Sequence, residues 1–413
     1  MSPRHASYPS LMSVRHARGL RRHPLLRSVA LGVVAVLSFS VAGGAAAFTR
    51  LQGNINTAQT DHLLGERPAE VDPDPNDPSS GRPVNILVMG TDSREGNRSI
   101  AADEIDGERS DTTILVHISA DRERIELISI PRDSMVAVPE CERSDGTVAP
   151  ARSRTMFNES FAAGGRNGST TDAAACTQKT VEQLTGVYVH HFVVVDMSGF
   201  IEMVDALGGI PMCIEQDMYS RKARLDIQAG KQVFDGETAL AFARARTGQG
   251  LGDGSDTGRI GRQQELLAAT AREVLSANLL TDVPELLRFL DAATRSLTVS
   301  SDLSRLTDMS GLAFSLRNVP SGNIAFMTVP FGADPVDPNR VVWTHEAADL
   351  WDRVANDRPI IEPEPEPQTQ APAGEGDDAP EAPDEDSSTT DEREQVRPGV
   401  DAFTADDKTT VCG

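Results

Sequence analysis

The sequence predicts an α/β fold: a layered α-β-α domain on a central mixed sheet, preceded by one transmembrane helix. Three observations carry this. Between Pro83 and Ile361, short β-branched runs alternate with amphipathic segments at helical spacing. Near the N-terminus, Val29 to Phe48 holds no charged residue, about the 20 residues a helix needs to cross a bilayer core. From Glu362 to Asp391, Pro, Glu, Asp and Ala alternate with no aromatic residue, a composition too polar to offset the entropy of ordering.

The expected organisation follows. Residues 1–27 form a basic tail, with Arg15, Arg18, Arg21, Arg22 and Arg27 holding it on the cytoplasmic side. Residues 28–48 are the span, which puts the remainder outside; a signal peptide cleaved near Ala45 to Ala47 is the alternative. Residues 49–82, with the alternation Asp72, Pro73, Asp74, Pro75, read as a stalk. Residues 83–361 are one large globular domain, and 362–413 an acidic disordered tail. The formal net charge of −23 argues against a nucleic-acid partner. It resides largely in the tail, so the folded domain is closer to neutral.

Within the domain, Val84–Met89, Thr113–Ile118 and Arg124–Ile130 read as adjacent strands. Asp172–Leu184 reads as a helix stopped at Gly186, followed by a strand at His191–Val195. Ser198–Leu207 is a helix closed by Gly208 and Gly209, and Ile210–Ile214 a strand. Gly236–Arg244, Ile260–Leu275, Val283–Leu290 and Leu303–Leu312 are helices, and Ile324–Val329 is a late strand. Four cysteines in an oxidising compartment permit disulfides. Cys141 with Cys176 is the preferred pair, because the Gly, Ser and Arg-rich stretch between them resembles an insertion in need of a staple; Cys213 with Cys412 is the weaker pairing. A zinc site is not expected, since neither a CxxC nor a ligating His pair accompanies them. His190 and His191 are neighbours on a strand and face opposite sides, which favours structural roles.

The chemistry sits where these elements end. Asp92 follows the first strand, where Gly90 lets the backbone turn, and Asp111 precedes the second, so the two carboxylates meet at one sheet end. One or two carboxylates with substrate phosphate oxygens suit Mg2+, with Mn2+ as the alternative; ordinary turn or cap roles are the competing reading. Arg132 ends the third strand, a surface pair with Asp133 being the alternative. Arg244 and Arg246, two apart, share a site if the helix unwinds between them, and the Gly-rich loop from Gly248 to Gly258 suits such unwinding. Arg259 and Arg262 then share a face near the start of the next helix, where backbone amides also favour anions, with Gln263 beside them. Guanidinium forks grip phosphate bidentately and stay charged, so Arg109, Arg132, Arg244, Arg246 and Arg259 together predict a pocket for a highly anionic phosphate group.

In order, the motifs GTDSR, RSDTTILVHI, SIPRDS, FNESFAAGG, VDALGGIPMC, LDIQAGKQVFDGETALAFARAR and GSDTGRIGRQQ resemble the LytR-CpsA-Psr family of cell-wall ligases over about Val84 to Leu275. The resemblance implies an enzyme that takes a glycopolymer from a polyprenyl-pyrophosphate carrier and joins it through a phosphodiester to a peptidoglycan hydroxyl. It places Asp92 and Asp111 on Mg2+, and Arg109, Arg132, Arg244, Arg246 and Arg259 on the pyrophosphate, with Arg262 and Gln263 in the same substrate-binding set. Catalytic roles are expected for Asp92, Arg132, Arg244 and Arg246. The alternative is a membrane-anchored module that binds or senses polyprenyl pyrophosphate without turnover. A lipid tail requires an apolar groove, for which Phe157, Phe161, Phe192, Phe200, Val204 and Leu207 are candidates and packed core is the competing assignment. Two charged excursions, Glu95–Glu108 and Cys141–Ser153, depart from the simplest family pattern and leave acceptor recognition open. So is the identity of the glycopolymer.

Overall fold

A computed structural model of the chain describes residues 24–70, 81–91, 110–252, 254, 256–275, 283–361 and 397–407. The chain divides into two compact units, Met1–Arg50 and Leu51–Gly413. The first carries most of helix α1 (Pro24–Asn54), whose Val33, Val34, Val36, Leu37, Phe39 and Val41 side chains are exposed. Within it, Leu31–Asn54 runs for 24 residues at a mean hydropathy of 2.0, long and apolar enough to cross a membrane by length and composition.

In the second unit the mixed sheet expected from the interleaved elements is present. Its strands are β1 (Asn56–Ala58), β2 (Val84–Thr91), β3 (Ser110–Ile118), β4 (Ile125–Ile130), β5 (His191–Asp196), β6 (Leu297–Ser300), β7 (Ile324–Thr328) and β8 (Phe403–Thr404). The spatial order is β1-β6-β5-β2-β3-β4-β7-β8. Strand β2 runs parallel to β5 and antiparallel to β3, β3 is antiparallel to β4, and β4 is parallel to β7. The central strands are apolar on both faces, as strands covered on both sides must be. On one face Leu87, Met89, Leu115, Ile128 and Phe192 pack with Phe157 and with Phe161, Ala173, Val181 and Trp351, the last four brought by helices α3 (Glu159–Gly164), α4 (Thr170–Thr185) and α10 (Glu346–Ala355). On the other, helix α7 (Asp256–Val274) lays Ala268 against Leu127, Phe326 and Phe403. A further core, around Ile210, Phe234 and Phe242, joins α5 (Met197–Ala206) and α6 (Gly236–Arg244) to a two-stranded sheet of Ile210–Ile214 and Gly230–Phe234. The expected strand at Ile210–Ile214 is therefore real but stands apart from the main sheet.

Three expectations need correction. Residues 51–70 are not a stalk: Leu51, Ile55, Ala58, Leu63 and Leu64 are buried, and β1 pairs with β6 at the sheet edge. The expected disorder of 362–413 does not extend to 397–407, where β8 pairs with β7 and Phe403 stacks on Phe326 at 5.1 Å between ring centroids. Apolar burial of one aromatic residue and a strand pairing fasten a segment that composition assigned to solvent. Third, the candidate groove residues do not form one wall. Phe157, Phe161 and Phe192 are fully buried in the sheet core, whereas Val204 and Phe200 belong to the separate α5–α6 core.

Cys141 and Cys176 form the preferred disulfide, with an S–S distance of 2.02 Å, tying the insertion to α4. Cys213 is also disulfide-bonded, and Cys412 lies outside the described residues. His190 and His191 are structural. His190 Nδ1 accepts the Asn85 amide at 3.0 Å, and burial lowers its pKa to about 4; His191 Nδ1 lies 3.4 Å from Ser300 Oγ.

Candidate active site

The site forms at one end of the sheet, where β2 ends, β3 begins and β4 ends. Strands β2 and β3 are in regular register up to Gly90 opposite Thr112, but Thr91 then pairs with Ser110, so Asp111 has no cross-strand partner. Such a bulge re-aims a side chain. Asp111 uses it to reach Arg132, which β4 delivers through Pro131. The Arg132 backbone is fixed in turn by the Asn158 amide, which donates to its carbonyl at 3.2 Å, so the FNES segment supports the site from beneath.

The next arginine depends on a helix ending on time. Helix α6 stops at Arg244; Ala245 turns to extended geometry (φ −61°, ψ 128°), and Arg246 swings inward to Asp256 at 3.1 Å and Asp133 at 3.4 Å. This is the unwinding that two arginines at that spacing required. The following loop folds back on Tyr219, whose carbonyl accepts the Gln249 amide at 2.9 Å. Gly248, at φ +149°, has no room for a side chain there, because a Cβ would lie 2.0 Å from the Tyr219 carbonyl oxygen.

Helix α7 then supplies Asp256 and Arg259. Arg259 is 3% exposed, pairs with Asp256 at 2.7 Å, donates to the Asp111 carbonyl at 3.1 Å and lies 4.0 Å from Asp111 Oδ1. Arg132 completes the cluster with its Nε 3.7 Å from Asp133 and 3.8 Å from Asp256. A fourth guanidinium, Arg340, donates to Asp133 Oδ1 at 2.9 Å. Four guanidiniums are held by Asp111, Asp133 and Asp256, with exposed Asp337 3.7 Å from Arg340 at the rim, so the cluster is close to electrically balanced before any ligand arrives. Three buried Nε–H groups, on Arg132, Arg246 and Arg259, have no acceptor among the described residues. Burial pulls the Arg132 pKa down, but Asp111, Asp133 and Asp256 outweigh it and leave it raised. For Arg259, burial wins and lowers the pKa despite Asp256, with Arg132 pushing the same way. A guanidinium remains a cation even so.

Of the predicted residues, Asp111, Arg132, Arg246 and Arg259 converge here. Arg244, the last residue of α6, is exposed. Asp92 and Arg109 lie outside the described residues. Arg262 and Gln263 do not join the cluster. The Arg262 guanidinium donates to the carbonyls of Ala245 and Leu251, and Gln263 Nε2 donates to the Ala243 carbonyl at 3.1 Å, so both hold the exit of α6 in place. Burial lowers the pKa of Arg262 to about 10. Asp133 and Asp256 proved to be the hubs of the cluster, and Arg340 went unread, since it sits on a hairpin (Phe331–Trp343) with neither a motif nor a periodicity to mark it.

Among the described residues no group of three or more His, Cys, Asp or Glu side chains is placed to hold a metal. Mg2+ needs fewer, taking one or two carboxylates and completing its shell with substrate oxygens and waters. Asp111 fits that requirement: both guanidiniums meet its Oδ1, leaving Oδ2 of a side chain 32% exposed.

Comparison with known proteins bears on what such a cluster serves. The model of the LytR_cpsA_psr family matches residues 48–355. The chain belongs to that family. Among its relatives within the family, it is 32% identical over 274 residues to the probable cell wall biosynthesis protein LcpB of Corynebacterium glutamicum, covering 64% of this chain and 59% of the relative. It is 26% identical over 323 residues to the Bacillus subtilis polyisoprenyl-teichoic acid–peptidoglycan teichoic acid transferase TagT, covering 75% of this chain and 89% of the relative. The chain thus spans about three fifths of the length of its corynebacterial relatives, 59% of LcpB and 60% of LcpA. In fold it resembles the crystal structure of B. subtilis TagV, with a TM-score of 0.50 at 23% identity over 67% of this chain and 96% of that one. It also resembles the protein gbs0355 from Streptococcus agalactiae, with a TM-score of 0.52 at 19% identity over 67% and 87%.

Proposed function

We propose that this family member is a membrane-anchored phosphotransferase that moves a glycopolymer from a polyprenyl-pyrophosphate carrier to a peptidoglycan hydroxyl. The carrying observation is the convergence of Arg132, Arg246, Arg259 and Arg340 from four separate chain segments around one sheet end. Charge packed this densely, with buried donors lacking acceptors, suits a ligand of more than one negative charge. Family membership and a relative named as a teichoic acid transferase point the same way. In this reading α1 is the anchor, the N-terminus is cytoplasmic and the sheet domain works outside the membrane.

Phosphoryl transfer asks mostly for positioning and charge neutralisation. The acceptor oxygen attacks the glycan-proximal phosphorus, forming the new phosphodiester P–O bond. The P–O bond to polyprenyl phosphate breaks, and that phosphate leaves with the bridging oxygen and its electron pair. The hydroxyl proton passes to a carboxylate, for which Asp92 is the candidate. Half-buried Arg132 and buried Arg259, paired to the same carboxylates, neutralise the diphosphate as charge moves to the leaving group, while Arg246 and exposed Arg244 close the outer side. Asp111, with Asp92, would hold Mg2+ (or Mn2+), which when bound would add neutralisation of the phosphate oxygens. Asp133 and Asp256 keep the mutually repelling guanidiniums together before substrate arrives.

The test is turnover. Full-length protein in detergent, given a polyprenyl-pyrophosphate-linked glycan, Mg2+ and peptidoglycan, is expected to release polyprenyl phosphate and leave glycan on the wall polymer. Tight binding of the lipid-linked glycan with no transfer under any divalent-metal condition would make it a capture module instead.

A further inference from the structure

We propose that Arg340 is a further substrate-binding residue of the cluster, contacting the diphosphate together with Arg132 and Arg246. The inference rests on the reading that the cluster binds a diphosphate, and it assigns a function to the Phe331–Trp343 hairpin.

Asp133 is the junction. Its Oδ1 accepts from Arg340 Nη1 at 2.9 Å, while its Oδ2 faces Arg246 Nη2 at 3.4 Å and Arg132 Nε at 3.7 Å. One carboxylate, 10% exposed, thus serves three guanidiniums and cannot neutralise them all. Arg340 Nε also lies 3.7 Å from Asp337, while its only side-chain hydrogen bond among the described residues leaves from Nη1, so Nη2 keeps a donor edge for a ligand. With its side chain 32% exposed, against 3% for Arg259, it is accessible where Arg259 is enclosed.

The support beneath it is rigid. The Arg340 carbonyl accepts the Asp334 amide at 2.9 Å and its own amide donates to the Asp337 carbonyl at 2.9 Å. The Val341 amide donates to the Asp133 carbonyl at 3.3 Å, and Trp343 Nε1 donates to Ser134 Oγ at 3.1 Å. Asp334 is buried and holds Arg154 at 2.5 Å. A flexible cationic side chain on a pinned backbone loses less freedom on meeting an anion than one on a mobile loop.

Calorimetric titration of full-length protein in detergent with inorganic pyrophosphate tests this, with wild type, Arg132→Ala, Arg340→Ala and Arg340→Lys compared alongside their melting temperatures. Arg340→Ala is expected to weaken binding about tenfold with a shallower salt dependence, the scale of one hydrogen bond to a charged group, and Arg340→Lys to recover part of it. If Arg340→Ala binds like wild type while Arg132→Ala loses binding, the assignment of Arg340 is wrong and the diphosphate reading stands. Weaker binding that tracks a lowered melting temperature and is not restored by lysine makes Arg340 structural and also overturns it. No binding by wild type, or none lost in Arg132→Ala, removes the diphosphate reading and this inference with it.

Discussion

Replacing Asp256 with alanine separates the two demands on the cluster, holding itself together and holding a ligand. Asp256 is 11% exposed and meets Arg259 at 2.7 Å, Arg246 at 3.1 Å and Arg132 at 3.8 Å. Removing one partner of a buried pair costs about 3–5 kcal/mol, because the charge left behind is uncompensated. Here the loss falls near the lower end, about 3 kcal/mol by that measure, since Arg246 retains Asp133 and Arg259 retains the Asp111 carbonyl. At about 2–4 °C per kcal/mol for a large domain, the melting temperature should fall on the order of 6–12 °C. The same change leaves four guanidiniums facing three carboxylates, Asp111, Asp133 and Asp337, one positive charge more than before. An anion should then replace the missing carboxylate: pyrophosphate at 100 times its Kd would return about 2.7 kcal/mol. Differential scanning fluorimetry of wild type and Asp256→Ala across a pyrophosphate series reads both effects. The variant should melt lower without ligand and gain more from it than wild type does. Equal melting, or equal ligand-induced shifts in the two proteins, would refute the reasoning.

Three other outcomes follow. The Cys141–Cys176 bridge closes a 35-residue separation, so the Cys141→Ser/Cys176→Ser double variant should lose about 4 kcal/mol in urea unfolding by loop entropy, and an unchanged midpoint would contradict the staple role. Stability should depend on pH through two buried groups of opposite sign. Burial holds His190 near 4 instead of 6.5, so the unfolded chain takes up the proton first and up to about 3 kcal/mol is lost as pH falls through that window. Burial and Glu215 raise Glu265 to about 7, so its contribution is full below about 4.5 and fades as pH rises to 7. His190→Gln should remove the acid-side loss and Glu265→Gln the loss toward neutrality in denaturant melts; profiles parallel to wild type would count against both. Finally, a Cβ on Gly261 would lie 2.3 Å from the Pro398 carbonyl oxygen, so Gly261→Ala should lift the 397–407 segment off α7 and expose it to limited proteolysis, whereas wild-type resistance would deny that this contact fastens it.

What the sequence revealed, and what it hid, follows from the range of the interactions. Strands β2, β3, β4 and β5 were readable because each is a continuous apolar run between turn signals. Strands β1 and β8 were not, being three and two residues long, too short for a period to register. In the tail one residue, Phe403, carried the signal for a strand, and the acidic composition around it pointed the other way. Arg132, Arg246 and Arg259 were legible because a strand end, a helix stop and a helix start are local events. The carbonyls that Arg262 and Gln263 reach were not legible, because helical spacing tells which face a side chain shares, not which carbonyl it meets. Arg340 lies more than 200 residues beyond its partner Asp133, a 207-residue separation that spacing cannot bridge.

The account depends on a diphosphate sitting among guanidiniums from distant parts of the chain. The most direct measurement is a crystal structure of the full-length protein with a short-chain polyprenyl diphosphate. The phosphate oxygens should lie within charge-assisted hydrogen-bond reach, about 2.7–2.9 Å, of the guanidinium nitrogens of Arg132, Arg246 and Arg259. A diphosphate held elsewhere, with those side chains still paired to Asp111, Asp133 and Asp256, would contradict it.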